Sequence, residues 1–526
     1  MLKFSLLQLT TLALVLLGSQ EAFAAPGKKR PVEAVSFFQQ AVAMLNRSLT
    51  TVLLLQQQKR LRNDVKRKDL LDGAKRLQEI AYATTERNRV FGSPGHKATV
   101  EYIQSELRKA GDYYDVYLQP FTATYAEHSA EVAIDNKAVE SNTFTYSPNG
   151  EFNDLELVPV NNLGCDQADF PASVEGKIAL IKRGTCAFGI KVARAGTAKA
   201  AAVLIYNNAP GDVSGTLGSA GPTPEGPFVP VAGVDQETGD ALAARLAAGE
   251  KVTADMKLEG VIEDRTTHNV IAESRGGSKD QVLMLGAHSD SVTAGPGIND
   301  NGSGSVALLT VAKNLAKYSV NNAVRFAWWS AEEYGLLGAE HYVGELSQEQ
   351  KDQIRIYLNF DMIASPNYVL SVHDGDGSTF NTTGPAGSAQ AEAMFFDFFK
   401  NVAKKPLIEG PFDGRSDYGP FLDAGIAAGG LDTGAEGLKT EEEAKLFGGE
   451  AGIAYDPNYH AAGDTIDNLA MEAFEVNTKA ISHAVALYST SFDSLGPRAK
   501  VAANRRDVVK KVDHSNHRCG GDLALL

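Results

Sequence analysis

The sequence predicts an α/β fold: a doubly wound, mostly parallel sheet with helices on both faces, interrupted by a smaller β-rich insert. Three observations lead there. Residues 282–285 (VLML), 323–329 (AVRFAWW) and Ile354–Phe360 (IRIYLNF) are apolar runs with little polar alternation, as in strands covered on both faces. A helical pattern follows the first run, with Val306, Leu309 and Leu315 near helical spacing between residues 303 and 318. Residues 131–262 have another texture, short β-like runs alternating with Gly/Pro loops.

At 526 residues the chain exceeds one ordinary domain. An apolar share of 43% and a charged share of 22% are those of a globular protein. The formal net charge of −15 argues against nucleic acid or an anionic membrane as a partner.

Residues 1–24 read as a signal peptide. Lys3 supplies the positive end, residues 4–17 an apolar core and Ala22-Phe23-Ala24 a small-residue cleavage site. The core is too short to span a bilayer, and no later segment qualifies. A soluble protein of the secretory route, secreted or vacuolar, is expected. Residues 25–68 read as a pro-segment removed at a dibasic site, with basic clusters at residues 28–30 and 66–68 and helical patterns between them. Asn46 and Asn381 begin glycosylation acceptors, Asn-Arg-Ser and Asn-Thr-Thr.

The catalytic domain is expected in two parts, residues 69–130 and 263–492. Leu70, Leu71, Ala74, Leu77 and Ile80 give a helical face, RVFGSPGH a fixed turn, residues 98–110 a second helix and residues 115–121 a strand. Within the insert, residues 131–262, the runs LELVPV, KIALIKRG, AAVLIYNN and FVPVAGV read as strands. Cys165 and Cys186 lie close together there and are expected to form a disulfide in an oxidising compartment. After the insert, HNVIAES reads as a strand, and residues 391–402 and 471–488 as helices. Residues 493–526, with Cys519, carry mixed charge without periodicity and read as a mobile tail.

The ends of the three apolar runs carry the chemistry. His288 and Asp290 follow the first, with Asp300 in the Gly/Asn/Asp loop beyond. Glu332 and Glu333 follow the second, and Asp361 directly follows the third. His460, beside Tyr459, is a further candidate. Ligand sites in open α/β sheets lie beyond the carboxyl ends of strands. Unpaired carboxylates beside buried strands are costly, and a shared cation is the simplest common partner. The residues alone lead to a two-metal hydrolase, with peptide and phosphate-ester bonds both open as targets.

The phrases INDNGSG, AEEYGLLGA, NFDMI and GRSDYGPF, with that spacing, resemble the co-catalytic di-zinc aminopeptidases, the group containing aminopeptidase Y and the secreted leucine aminopeptidases. The likeness runs from about residue 69 to 490. RGTCAFGIKVARAGTAKAAAVLIYNN resembles the protease-associated domain often inserted in that family. It holds none of the ligand positions and is expected to shape access or surface contacts.

The resemblance implies two zinc ions, one held by His288 and Asp361, the other by Glu333 and His460, with Asp300 bridging. Such ligands leave positions open for water and substrate. It casts Glu332 as general base and Tyr459 as hydrogen-bond donor to the developing oxyanion. Asp290 and Asp464 would orient imidazoles. His96, His268, His341 and His483 match no ligand position and read as structural. Peptides with a free amino terminus are the implied substrates, and a monomer is expected. Met362 keeps an apolar pocket wall, but Asp432 in GGLDTGAEG stands where the family commonly has an aromatic or apolar residue. Its carboxylate would either pair with an amino-terminal Lys or Arg or cap the following turn. Two rival functions have signatures of their own. A metallo-carboxypeptidase of the same superfamily needs a cation for the terminal carboxylate, with Arg415 the candidate. An inactive receptor ectodomain should have lost ligands and carry a membrane span; here every ligand position is filled.

Overall fold

The computed structural model describes residues 59–496. The signal peptide, most of the pro-segment with Asn46, and the tail with Cys519 lie outside the described residues. Helix α1 (Arg67–Tyr82) buries Leu70, Ala74, Leu77 and Ile80. Helix α2 (Pro94–Arg108) starts on a proline, and its Ser93 cap accepts from the His96 N–H. Ahead of α1, a helical turn at residues 59–64 and Val65 place Leu61 and Val65 in the same core. The folded domain therefore begins upstream of the boundary expected at residue 68.

The ribbon that follows is longer than its sequence pattern suggests. Strand β1 (Tyr114–Ile134) leads into the insert, which contains β2 (Lys137–Val139), β3 (Asn142–Thr145), β4 (Gly150–Pro159), β5 (Ile178–Lys182), helix α3 (Phe188–Thr197), β6 (Ala202–Tyr206), β7 (Gly215–Thr216), β8 (Val231–Val234) and helix α4 (Gln236–Ala247). Strand β9 (Thr253–Ser274) returns antiparallel to β1, from Ile134 opposite Ala254 to Tyr114 opposite Ser274. The insert has two apolar cores of its own, one around Leu180, Leu204 and Met256, the other around Phe144, Val192 and Ile205. Cys165 and Cys186 are disulfide-bonded within it.

The catalytic half continues through β10 (Ser278–His288), α5 (Gly302–Leu315), β11 (Asn322–Trp329), α6 (Leu337–Glu345), β12 (Ile354–Phe360), β13 (Ser371–His373), α7 (Ser388–Asp397), β14 (Ile408–Gly410), α8 (Gly419–Asp423), β15 (Ala428–Asp432) and α9 (Met471–Tyr488). Strand β10 lies between β11 and β12, parallel to both, and β12 is parallel to β15. Strands β9 and β13 join this parallel centre antiparallel, against β11 and β15. The full order is β14-β13-β15-β12-β10-β11-β9-β4-β5-β6-β8-β3-β7, a 15-stranded sheet that includes the β1/β2 branch.

Helices α1, α2, α5, α7 and α9 cover one face of the catalytic sheet. Helices α6 and α8 cover the other, around Trp329, Tyr357 and Phe421. Both faces are thus dry, which explains the continuous apolar runs of the central strands. Among the described residues no helix is long and apolar enough to cross a membrane.

Candidate metal centre

The parallel register sets the ends of β10, β11 and β12 side by side. His288 pairs with Trp329 across β10 and β11, and Gly286 pairs with Asn359 across β10 and β12. Past β11 the chain reverses at Ala331, whose φ of 60° is left-handed, and a short turn presents Glu332 and Glu333. Asp300 arrives from the loop before α5. That helix can approach because residue 304 is glycine: a Cβ there would meet Phe360 O at 2.1 Å. Asn301 fastens the same corner, accepting from the Gly304 N–H at 2.9 Å and donating to Phe360 O at 3.0 Å. His460, with a φ of 54°, enters from the loop ahead of α9.

These residues converge. His288 Nε2 lies 3.1 Å from Asp300 Oδ1, 3.4 Å from Asp361 Oδ1 and 3.7 Å from Glu332 Oε2. His460 Nε2 lies 3.1 Å from Asp300 Oδ2 and 3.1 Å from Glu333 Oε2. Asp300 therefore turns one carboxylate oxygen to each imidazole. His288, Asp300, Glu332 and Glu333 are almost wholly buried. Both His288 nitrogens, His460 Nε2, Asp361 Oδ1, Glu332 Oε1 and both Glu333 oxygens have no hydrogen-bond partner. Orphaned buried polar atoms are rare in folded proteins, and a cluster of them aimed at one point fits a bound cation. Imidazole and carboxylate are the donors zinc accepts.

The electrostatics agree. Burial raises Glu332 well above the usual carboxylate range, and Asp361, Asp417 and Glu333 add to it against the opposing His288. Burial and then Asp300 push Glu333 up to about 7. Burial would depress His460, but Glu333 and Asp300 hold it at about 10. Burial likewise opposes protonation of His288, and Asp361 and Glu332 override it. With no metal ion bound, the imidazoles of His288 and His460 draw protons and pair with carboxylates that otherwise repel one another.

Tyr459 stacks on the His460 ring, centroids 3.9 Å apart. Asp290 lies 3.6 Å from His288 Nδ1 and accepts from the Glu332 N–H at 3.3 Å. Asp464 is placed differently from expectation. Its oxygens accept from the Asn299 N–H at 2.7 Å and the Asp300 N–H at 2.9 Å, so it holds the Asp300 backbone and not an imidazole. Met362 is buried with a φ of 47°, and its carbonyl accepts from Thr433 Oγ1. Asp432 takes the turn-capping alternative: it accepts from the Gly434 N–H at 3.0 Å and from Ser371 Oγ at 2.9 Å. Among the remaining histidines, His96 bonds Ser289 Oγ at 2.9 Å and His483 bonds Arg62 at 2.6 Å.

Several participants were missed from sequence. Ser416 donates to Asp361 Oδ2 at 2.6 Å and accepts from Asn359 Nδ2 at 2.8 Å. Asn359 in turn accepts from the Tyr357 hydroxyl at 2.7 Å, which accepts from Trp329 Nε1 at 2.8 Å. A Cβ at Gly286 would meet that hydroxyl at 2.1 Å, so β10 needs glycine there. Asp417 is buried with both oxygens unpartnered. Strand alternation hints at Tyr357 and Asn359 on Asp361's side of the sheet, but nothing local ties Ser416 to Asp361.

A doubly wound sheet whose strand ends gather such donors defines a metalloenzyme. Comparison with known proteins takes the class to a family. Residues 269–485 match peptidase family M28 and residues 154–242 match the PA domain. The probable leucine aminopeptidase 2 of Aspergillus fumigatus is 50% identical over 85% of this chain and 89% of its own length. Leucine aminopeptidase 2 of Trichophyton rubrum is 48% identical over 85% and 89%. Among solved structures, an aminopeptidase from Aneurinibacillus sp. strain AM-1 superposes with a TM-score of 0.66 at 30% identity, covering 81% of this chain and 95% of that one. A zinc aminopeptidase from Bacillus subtilis gives 0.60 at 27% identity, over 80% and 94%. The chain belongs to peptidase family M28 and carries an inserted PA domain. It is a metallo-aminopeptidase acting on peptides, and its family and neighbours imply zinc.

Proposed function

We propose that the enzyme is a secreted or vacuolar di-zinc aminopeptidase that releases amino-terminal residues from peptides. The observation that carries the di-zinc reading is Asp300, whose two oxygens each lie 3.1 Å from a different imidazole. His288 and Asp361 would hold one ion, Glu333 and His460 the other, and Asp300 both. When bound, the pair supplies Lewis-acid polarisation of the scissile carbonyl and lowers the pKa of the attacking water. Glu332 takes the water's proton and passes it to the leaving amine, a role suited to a buried carboxylate at the edge of the centre, 3.7 Å from His288 Nε2. Tyr459 donates a hydrogen bond to the developing oxyanion. Asp290 and Ser416 hold His288 and Asp361 in place.

Asp432 caps its turn and stays partly exposed, so a contact with an amino-terminal Lys or Arg is read from the lysyl arylamide. Met362 favours an apolar residue, in keeping with the leucine aminopeptidase names of the relatives. The carboxypeptidase alternative is weakened because Arg415 is paired with Glu436 at 2.9 Å. The exposed Asn381 suits its role as a glycosylation acceptor.

The test is metal analysis alongside leucyl-, lysyl- and amino-blocked arylamides. Two zinc ions per chain, loss of activity on chelation with recovery on zinc, and turnover confined to free amino termini are expected. Activity in metal-free protein, or turnover of the blocked substrate, would overturn the reading.

A further inference from the structure

Trp329 at the end of β11 and Tyr357 on β12 reach toward each other over the central strand β10, which lies between them. The passage is open because residue 286 is glycine: a Cβ there would meet Trp329 Nε1 at 2.4 Å as well as the Tyr357 hydroxyl. From this pair an unbroken series of hydrogen bonds runs to Asp361. Trp329 Nε1 donates to the Tyr357 hydroxyl, and that hydroxyl donates to Asn359 Oδ1. Asn359 Nδ2 donates to Ser416 Oγ, which donates to Asp361 Oδ2. Trp329, Tyr357 and Asn359 are completely buried and Ser416 nearly so.

The two ends fix the sense of the whole series. An indole N–H can only donate and a carboxylate can only accept. Tyr357 takes the indole proton on its oxygen and has one proton to give, which goes to Asn359. The Asn359 amide must then show its oxygen to Tyr357 and its N–H to Ser416, and Ser416 keeps its own proton for Asp361. The opposite amide orientation would aim two donors at the Tyr357 hydroxyl and give Ser416 two acceptors for one proton. Hydrogen bonds aligned in one sense also polarise one another. Asp361 consequently has Oδ2 committed to Ser416, while Oδ1, 3.4 Å from His288 Nε2, has no partner.

We propose that Tyr357, set by Trp329, is a positioning residue for the metal centre: the sense it imposes on Asn359 makes Ser416 a donor to Asp361 and leaves Oδ1 as the oxygen offered to a cation. This rests on the metal-centre reading above. A Tyr357 that only packs, stacked on Phe421 at 3.8 Å, would affect stability and nothing at Asp361. A Tyr357 that sets the sense of the series acts on Asp361 through Ser416. Without its hydroxyl, the Asn359 amide can turn its oxygen to Ser416, which then has a second acceptor and is drawn off Asp361.

The experiment measures zinc affinity by competition against a chromogenic chelator, the visible spectrum of the cobalt-loaded protein, and the thermal midpoint. Wild type is compared with Ser416→Ala, Tyr357→Phe, their double variant and Trp329→Phe, and Ile426→Ala in the same core is the packing control. Ser416→Ala should weaken zinc binding by about tenfold. Tyr357→Phe should weaken it by at least about threefold and shift the cobalt spectrum in the same direction. The double variant should bind zinc no more weakly than Ser416→Ala alone, because both changes act through one hydrogen bond. Trp329→Phe should shift the spectrum the same way, and it carries the test if Tyr357→Phe does not fold. Ile426→Ala should lower the midpoint and leave zinc affinity and spectrum as in wild type. A Tyr357→Phe protein with a lowered midpoint but unchanged affinity and spectrum would overturn the proposal. So would losses that add in the double variant, or an Ile426→Ala spectrum shifted as far as that of Tyr357→Phe. If wild type binds no zinc, the metal-centre reading itself fails.

Discussion

Glu332 and Glu333 are consecutive, yet the turn after β11 aims them at different partners. Glu333 Oε2 sits 3.1 Å from His460 Nε2, whereas Glu332 Oε2 is 3.7 Å from His288 Nε2, the longest of that imidazole's carboxylate contacts on its Nε2 side. These distances fit the proposed division of labour, Glu332 as proton acceptor and Glu333 as ligand. Glu332→Gln removes a proton acceptor but keeps the shape, so turnover should drop by at least about 10²-fold while bound zinc stays at the wild-type level. Glu333→Gln should show the reverse order, with metal affinity failing first. Metal content and initial rates on the same preparations check both; zinc loss in Glu332→Gln would make Glu332 a ligand. The strand-end positions of His288, Glu332, Glu333 and Asp361 were legible because apolar runs mark where parallel strands stop. Ser416 was not. It acts across more than fifty residues of sequence, and neither its type nor its neighbours disclose the partner.

Elements were legible in proportion to how completely one environment dictates them. Strand β12 and helix α9 have the predicted ends, since one is buried along nearly its whole length and the other keeps a buried face. Strands β1 and β9 were read as fragments because their middle stretches face solvent and carry polar residues there, as at Glu263 and Asp264. The turn at residues 59–64 was assigned to the pro-segment because its basic neighbours resemble a cleavage site. Its packing gives a prediction. A protein starting at Asp69 lacks the buried Leu61 and Val65, and burying one such side chain is worth roughly 1.5–3 kcal/mol. With two such side chains lost, its midpoint should fall by roughly 3–7 °C relative to one starting at Lys59. An unchanged midpoint would return the boundary to residue 68. The same turn brings Arg62 to His483, whose pKa is pushed down to about 4, chiefly by burial and then by Arg62. The folded state keeps that imidazole neutral while the unfolded chain protonates it near pH 6.5. Its contribution is therefore complete above about pH 6.5 and declines as pH falls toward about 4. His483→Gln should flatten the pH dependence of the midpoint in that window; an unaltered slope would show that His483 does not titrate on unfolding.

At the scale of the whole molecule, the insert and the catalytic half share one sheet but not one core. The ribbon of β1 and β9 joins them, and its two ends belong to different places. At the catalytic end, Phe121, Ala123 and Tyr125 pack with Phe91 and Ala331 in the turn that presents Glu332. Phe91 and Tyr125 each contact Tyr334, with ring centroids at 4.8 Å and 5.6 Å. Arg265 on β9 covers the Tyr125 ring at 3.4 Å. At the far end, Val132, Ile134, Ala254, Met256 and Leu258 belong to the insert's own core. The change of allegiance falls between Glu127 and Val261, which pair directly across the ribbon. Joining these two residues by Asn-Gly, the dipeptide suited to a two-residue hairpin, removes the insert without opening either strand. Every donor of the metal centre lies between residues 288 and 460, and the root that supports Glu332 is retained. The excised enzyme should bind zinc as wild type does and cleave leucyl arylamide with kcat/KM within about threefold, a change of under about 1 kcal/mol in transition-state stabilisation. Longer peptides, which extend beyond the centre, are where a contribution from the insert should show as a raised KM. A normally folded, zinc-loaded variant that no longer cleaves the arylamide would instead place part of the insert in the reaction itself.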